Sequence, residues 1–178
     1  MNFTNETINI TKLPKFEEVS FLPLHKEYQK IILISNFIFL LVMCLMVGLF
    51  LFFAEEARNY WYLLVTGVLV LFLISTILGK ISFKKRGYAF RQHDVLYKSG
   101  IISETTTIIP YSRIQHVALH EGFIARQFGL ASIQIFTAGG GNSDIEIPGI
   151  EKDQAQNIKQ LLMTKLTAEI ANNVVENE

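Results

Sequence analysis

Two long runs of residues without a charged side chain constrain this chain more than any other feature. Residues 31–53 and 60–79 contain no Asp, Glu, Lys, Arg or His. A helix rises about 1.5 Å per residue, so each run is long enough to cross a hydrocarbon core about 30 Å thick. The first run starts too far into the chain, and is too long, to be a cleaved signal sequence. The sequence therefore predicts two transmembrane helices.

The charges around these runs predict the orientation of the hairpin. Residues 54–59 join the runs and are too few for anything but an antiparallel turn, so both ends of the hairpin lie on one side. Basic residues cluster at those ends: Lys26, Lys30, Lys80, Lys84, Lys85 and Arg86. The connector carries one Arg beside two Glu. By the positive-inside rule, we expect a multi-pass membrane protein with both termini in the cytoplasm.

After Arg86 the spacing of apolar residues changes to a period of two. Short alternating runs rich in Ile, Val, Tyr, Phe and Thr are typical of strands, and turn residues separate them. We predict six or seven antiparallel strands between residues 85 and 148, with a short helix at residues 122–128. Within one strand, we expect Ile114, His116 and Ala118 to share a face opposite Arg113 and Gln115.

A helix is predicted to close the domain. From Asp153 to about residue 170, apolar residues recur at helical spacing, and we expect Ile158, Leu161, Leu162 and Leu166 to form one buried stripe. The strands and this helix suggest a small barrel or bent sheet with a plugged end. The expected divisions are a cytoplasmic N-terminal arm (1–30) with an irregular segment at residues 12–25, a hairpin (31–79; helices 31–53 and 60–79), a mainly β domain (84–170) and a flexible tail (171–178).

The residues argue against several classes of chemistry. The net charge of zero does not fit a general nucleic-acid-binding protein, which needs a basic surface. The single cysteine, Cys44, lies in an apolar run, away from any aqueous site. Three histidines (His93, His116 and His120) lack the further ligands that a specific metal site requires. We therefore predict no catalytic residues, no metal and no cofactor.

Four motifs resemble one known family. Residues 109–117 (IPYSRIQHV), 126–131 (RQFGLA), 137–140 (TAGG) and 147–150 (IPGI) are similar, in order and spacing, to the bacterial pleckstrin-homology-like membrane proteins of the YdbS-like type. The resemblance covers about residues 87–166. It implies a seven-stranded, strongly bent sheet capped by a C-terminal helix and attached to the bacterial cytoplasmic membrane. It also implies pairing with another membrane protein that carries such domains, and no enzymatic reaction.

Two hypotheses for function remain open. In the first, the protein is a non-enzymatic interaction or scaffold protein that acts with a partner membrane protein, or with itself, in envelope stress or defence. In the second, the domain senses lipid headgroups at the inner leaflet. Arg113 and Arg126 fit either a structural donor or a ligand contact. The candidate partner or lipid contacts are Lys84, Lys85, Arg86, Arg91, Arg113, Gln115 and Arg126.

Overall fold

A computed structural model describes residues 18–139 and 144–175 of the chain. In chain order its elements are β1 (Leu22–Pro23), α1 (Tyr28–Phe53), α2 (Trp61–Lys85), β2 (Gly87–Phe90), β3 (Asp94–Ser99), β4 (Thr105–Pro110), β5 (Ile114–His120), α3 (Phe123–Gln127), β6 (Leu130–Thr137), β7 (Ile145–Glu151) and α4 (Lys152–Val175). The turns Glu55–Tyr60 and Tyr111–Arg113 are 3₁₀-helical. This order confirms the predicted fold class, a helical hairpin followed by antiparallel strands and a closing helix.

The two membrane helices form the predicted hairpin. Both are long and apolar enough to cross a membrane, and few of their side chains are buried within the protein. A core hairpin of a soluble protein would hide such residues from water, so the exposed apolar surface fits a lipid environment. Ser75 Oγ donates a hydrogen bond to Asn36 Oδ1 across the two helices at 3.1 Å. Gly79 allows close packing there, because a Cβ on it would lie 2.9 Å from Ile32 Cγ2.

The strands form two antiparallel sheets. One has the order β1-β2-β3-β4 and the other the order β5-β6-β7. The core lies between them and contains the fully buried side chains of Val95, Ile133, Ile135 and Ile147. A strand is therefore present in every region predicted to contain one. The expected period of two in burial is not general, because β2, β3 and the first half of β6 bury consecutive residues.

The N-terminal arm contributes to the domain, which differs from the irregular segment expected there. Leu22 and Pro23 pair with Tyr88 and Gly87, so β1 is the edge strand beside β2. Leu24 is buried in the core. Residues 1–17 of the arm lie outside the described residues. The arm and the domain therefore pack together, with the membrane hairpin inserted between them in the chain.

The expected alternation in β5 is wrong after its first residue. The pairing register with β6 shifts between Ile114 and His116, which is the mark of a β-bulge. The bulge reverses the faces, so Ile114 and Val117 are buried and His116 is exposed. Gln115 is the extra residue and is exposed as well. A period-two pattern cannot show this, because one inserted residue changes the side of every residue after it.

The closing helix is present but its buried stripe is narrower than predicted. Ala155 and Leu162 are fully buried and Ile158 and Leu166 partly so, whereas Leu161 is 45% exposed. Leu161 was expected in the stripe, and this assignment is wrong because residues 155, 158, 162 and 166 already fill the side that faces the sheets. The helix continues to Val175, so it includes residues 171–175 of the expected tail. Residues 176–178 lie outside the described residues.

Candidate functional site

A groove runs between β5 and α4 on the surface of the domain. Its volume is about 570 Å³. The strand side is formed by β5 and the 3₁₀ turn before it, and the helix side by α4. The lining residues are Tyr111, Ser112, Ile114, Gln115, His116, Val117, Lys159, Met163, Leu166 and Thr167. The open volume, with apolar walls and polar groups along its rim, can hold a peptide segment or side chains of another protein.

The strand side of the groove is the edge of a sheet. In the order β5-β6-β7, β5 pairs only with β6 among the described residues. The free edge of a strand presents backbone N–H and C=O groups that another extended segment can pair with. The bulge at Gln115 exposes this side chain at the groove, where a polar side chain can add a directed hydrogen bond. The groove therefore offers both backbone and side-chain contacts.

The floor of the groove is formed by a buried, hydrogen-bonded side chain and its helix side by an exposed, apolar one. Tyr111 is almost fully buried, and its hydroxyl donates to the Arg91 carbonyl oxygen at 2.7 Å. Burial raises the pKa of Tyr111, so it stays protonated and keeps this bond. On the helix side, Met163 is 48% exposed although it is apolar. A flexible thioether at the mouth of an open groove adapts well to different partner side chains.

An aromatic pair supports the outer surface of this strand. The rings of His116 and Phe136 stack with centroids 4.2 Å apart and an interplanar angle of 14°. The two residues are directly opposite each other on β5 and β6. Such cross-strand pairs stabilise the register of neighbouring strands. The stack holds the β5 edge in position beside the groove.

Arg113 lies at a second, smaller cavity and not in the groove. This cavity has a volume of about 360 Å³ and is lined by Thr107, Ile108, Ile109, Pro110, Arg113 and Thr137. The backbone carbonyl of Arg113 accepts a hydrogen bond from the Ala138 N–H at 3.1 Å. Its guanidinium makes no hydrogen bond or ion pair in the part of the chain that the structure describes. Within the described residues the Arg113 guanidinium therefore donates no hydrogen bond that stabilises the fold. Its five N–H groups can bind an external carboxylate or phosphate.

Arg126 lies apart from both cavities, in the last turn of α3. Its side chain is exposed and, within residues 18–139 and 144–175, donates to no other group. The backbone at this point ends the helix, because the Gly129 N–H bonds to the Arg126 carbonyl and Gly129 has a φ of +65°. The short helix predicted at residues 122–128 is therefore present and ends before Gly129. The exposed guanidinium remains a candidate contact.

The three basic residues at the end of α2, Lys84, Lys85 and Arg86, have different environments. Lys84 is exposed, with no ion pair to a described residue. Lys85 Nζ is held by Glu104 at 3.1 Å and by the Ile101 carbonyl oxygen at 2.9 Å. Arg86 is half-buried, and its Nε has no hydrogen-bond partner among the described residues. Of this cluster, Lys84 is the residue most accessible to a lipid headgroup.

Arg91 does not join this cluster. It follows β2, whose first residue comes just after α2, so the length of the strand separates Arg91 from the membrane helices. Its Nε donates to Asp94 Oδ1 at 2.6 Å, and the hydrogen bond to Asp94 raises the pKa of Arg91. The sequence-based grouping of Arg91 with Lys84, Lys85 and Arg86 is therefore not realised in the fold.

The histidines also lie apart. His93 is in the turn between β2 and β3, whereas His116 and His120 are on β5. Among the described residues, no group of three or more His, Cys, Asp or Glu side chains could hold a metal ion. Residues 140–143, which include the last residue of the 137–140 motif, lie outside the described residues.

Sequence reasoning missed the groove because its two walls are far apart in the chain. Gln115 is among the predicted contacts, whereas the prediction for the closing helix names neither Met163 nor Thr167. One signal was available: Met163 departs from the apolar spacing that places Leu162 and Leu166 in the core. An apolar residue off the buried stripe of a helix indicates either solvent exposure or a contact with another molecule.

Comparisons with known proteins give a consistent assignment. A family model described as a bacterial PH domain matches residues 31–166, which include both membrane helices and most of the domain. The UPF0699 transmembrane protein YdbS of Bacillus subtilis (strain 168) is 29% identical over 106 residues, which is 56% of this chain. The chain spans 65% of the length of that relative. No solved structure gives a significant match.

Proposed function

Because the chain belongs to the bacterial PH domain family and carries a hairpin that anchors it in a membrane, we propose that it is a non-enzymatic interaction protein of the bacterial cytoplasmic membrane. In this role the hairpin holds the domain at the membrane surface, and the domain binds another membrane protein. The groove between β5 and α4 is the observation that carries the proposal. It combines a free strand edge with an open, partly apolar wall, a combination suited to peptide recognition.

The partner we propose is a membrane protein with a similar domain, or a second copy of this chain. Membrane anchoring supports such a pairing, because confinement of both molecules to one surface raises their effective concentration. An extended segment of the partner adds a strand to β5 and places one side chain against Met163 and another near Gln115. From the family resemblance, we further propose that the pairing serves envelope stress or defence.

Site-specific photo-crosslinking in cells tests the groove directly. A photoreactive amino acid at Met163 should capture the partner, giving a band that is absent without irradiation. Leu161 provides a matched control, because it lies on the same helix with nearly equal exposure, 45% against 48%, but does not line the groove. A cross-link that forms at Met163 and not at Leu161 supports the groove as the binding site for the partner. Equal capture at both positions, or at neither, contradicts it.

A lipid-headgroup sensor is the second candidate function. It is favoured by Lys80 and Lys84, which are exposed at the end of α2 without an ion pair in the described chain. Each basic residue near an anionic surface contributes about 1 kcal/mol of attraction. The test uses a soluble fragment that begins at Lys80, so that both lysines are kept. Binding of this fragment to vesicles that increases with anionic lipid, and decreases in Lys84→Gln, would support the sensor. Binding that is independent of lipid composition would leave the interaction protein as the function.

A further inference from the structure

The loop between β3 and β4, residues 100–104, exposes an apolar side chain almost completely. Ile102 is 99% exposed, the highest value among the large apolar residues that the structure describes. An isoleucine in full contact with water forgoes the favourable transfer of its side chain to an apolar environment. The charged residue of the loop, Glu104, forms ion pairs with Lys85 and Lys98 at the base of the loop and does not account for the exposure of Ile102. The exposed side chain therefore requires an explanation.

The strands return this loop to the end of the second membrane helix. β2 leaves directly after α2, and β3 runs back beside it, so that Lys98 is opposite Gly87. The loop that follows β3 reaches the helix itself, where Lys85 Nζ donates to the Ile101 carbonyl oxygen at 2.9 Å. The loop thus lies beside the last turn of α2.

The depth of that turn places the loop at the membrane surface. The apolar run ends at Gly79, and α2 continues to Lys85. At about 1.5 Å per residue, the last turn stands about 9 Å above the hydrocarbon boundary. Apolar groups of interfacial segments reach about 5–10 Å into the boundary between headgroups and acyl chains. A side chain projecting from this loop is therefore within reach of that boundary.

The loop has a defined shape. Gly100 has a φ of +122°, and a Cβ on it would overlap the Ser103 carbonyl oxygen, so the tight turn requires glycine. Glu104 accepts from Lys98 at 2.7 Å and from Lys85 at 3.1 Å, which fixes the other end of the loop. The fold thus holds Ile102 outward.

A second apolar side chain is exposed near the first membrane helix. Phe123, at the start of α3, is 73% exposed. α3 contacts α1, and the first residue of α1, Tyr28, packs against the domain core. The helix that carries Phe123 therefore lies beside α1, as the β3–β4 loop lies beside α2.

We propose that Ile102 inserts into the bilayer that the hairpin spans, and that the loop of residues 100–104 is a second membrane contact that orients the domain. A bilayer fits the observations better than a protein partner. The residue is a single exposed tip beside a membrane helix, and it lines neither the groove between β5 and α4 nor the cavity at Arg113. The exposed ammonium groups of Lys80 and Lys84 on α2 suit a surface with anionic headgroups.

Fluorescence quenching on the full-length protein in lipid nanodiscs tests this insertion. In a Cys44→Ala background, Ile102→Cys is labelled with an environment-sensitive fluorophore in phosphatidylcholine and phosphatidylglycerol. Gln92→Cys is the matched control, because Gln92 is exposed in the turn at the opposite end of β3. We expect quenching of the Ile102 probe by spin-labelled lipid and protection from iodide, with the reverse at Gln92.

Two outcomes would overturn the insertion. Iodide quenching at position 102 as strong as at position 92 would place the loop in water. Protection from both quenchers would mean that a protein surface, and not lipid, covers it.

To exclude insertion caused by the fluorophore, methyl NMR of the unlabelled side chain provides a second measurement. The Ile102 methyl signal, assigned by its loss in Ile102→Val, should broaden with spin-labelled lipid more than that of Ile108, which lies further along β4. Equal broadening of the two signals would also refute the proposal.

Discussion

Two adjacent leucines in α4 show how sharply the fold separates neighbouring side chains. Leu162 is fully buried and Leu161 is 45% exposed. Truncation of a buried leucine loses its burial and leaves a cavity, so Leu162→Ala should lower the free energy of unfolding by about 2–5 kcal/mol. Leu161→Ala should change it by no more than about 0.5 kcal/mol. Urea unfolding of a soluble domain, with the membrane helices replaced by a short flexible linker, compares the two. Equal losses would mean that α4 is rotated relative to this structure.

The charged base of the β3–β4 loop predicts a pH dependence. The ammonium groups of Lys98 and Lys85 lower the pKa of Glu104 below its ordinary value of 4.5. A carboxyl group whose pKa is lower in the folded state stabilises that state above its unfolded pKa, and the effect is lost as the pH falls through the folded pKa. Glu104→Gln should therefore lower the urea midpoint at pH 7.

The difference between Glu104→Gln and the original protein should shrink below pH 4.5 and also at high salt, because salt screens exposed charges. Glu151→Gln is a suitable control, since Glu151 is exposed and forms no ion pair with a described residue. If the midpoint difference stays constant from pH 7 to pH 3, the ion pairs do not contribute.

Among the structural elements, β1 was the least predictable from sequence. It has two residues, one of which is proline, and so it shows no alternation. Proline is tolerated there because an edge strand needs no N–H on its outer side. The longer strands were predictable from their Ile, Val, Tyr, Phe and Thr residues and the turn residues between them, although β3 and β6 bury residues on both faces. The closing helix was predictable because its apolar residues recur at helical spacing. The bulge at Gln115 and the exposure of Leu161 depend on tertiary packing, which no local pattern records.

The position of β1 predicts that residues 18–25 stabilise the domain although they precede the membrane helices. Besides the pairing of β1 with β2, the His25 N–H donates to the Gly149 carbonyl oxygen at 2.8 Å, and Leu24 is buried. Residues 18–25 joined to residues 86–175 by a linker of about six Gly and Ser residues should form a β1–β2 hairpin. This version should unfold at a higher urea concentration than residues 86–175 alone.

A matched control for this comparison carries Leu24→Asp in the linked version, because a buried unpaired carboxylate removes the apolar contact and adds a desolvation cost. Its urea midpoint should fall to that of residues 86–175 alone, or below it. If neither the removal of residues 18–25 nor Leu24→Asp changes the urea midpoint, the arm does not pack on the domain in solution.

At the scale of the whole molecule, the pairing of β1 with β2 places the arm and the domain on one side of the membrane. The sequence predicted this arrangement from the length of the connector, and it predicted both helices because a bilayer demands long runs without charges. The groove between β5 and α4 was not predictable, since it forms between surfaces that meet only in the folded domain. The contact between the β3–β4 loop and Lys85 was hidden for the same reason.

The side of the membrane follows from charge, and we predict that both termini are cytoplasmic. Lys26 and Lys30 precede the first apolar run and Lys80 and Lys84 follow the second, whereas Arg58 in the connector is accompanied by Glu55 and Glu56. Alkaline phosphatase, active only outside the cytoplasm, should be inactive when fused after residue 178 and active when inserted in the connector. Green fluorescent protein does not become fluorescent when the general secretory pathway exports it. It should therefore be fluorescent when fused after residue 178 and dark when inserted in the connector. Phosphatase activity after residue 178 would reverse the topology and place the groove, and the domain that carries it, outside the cell.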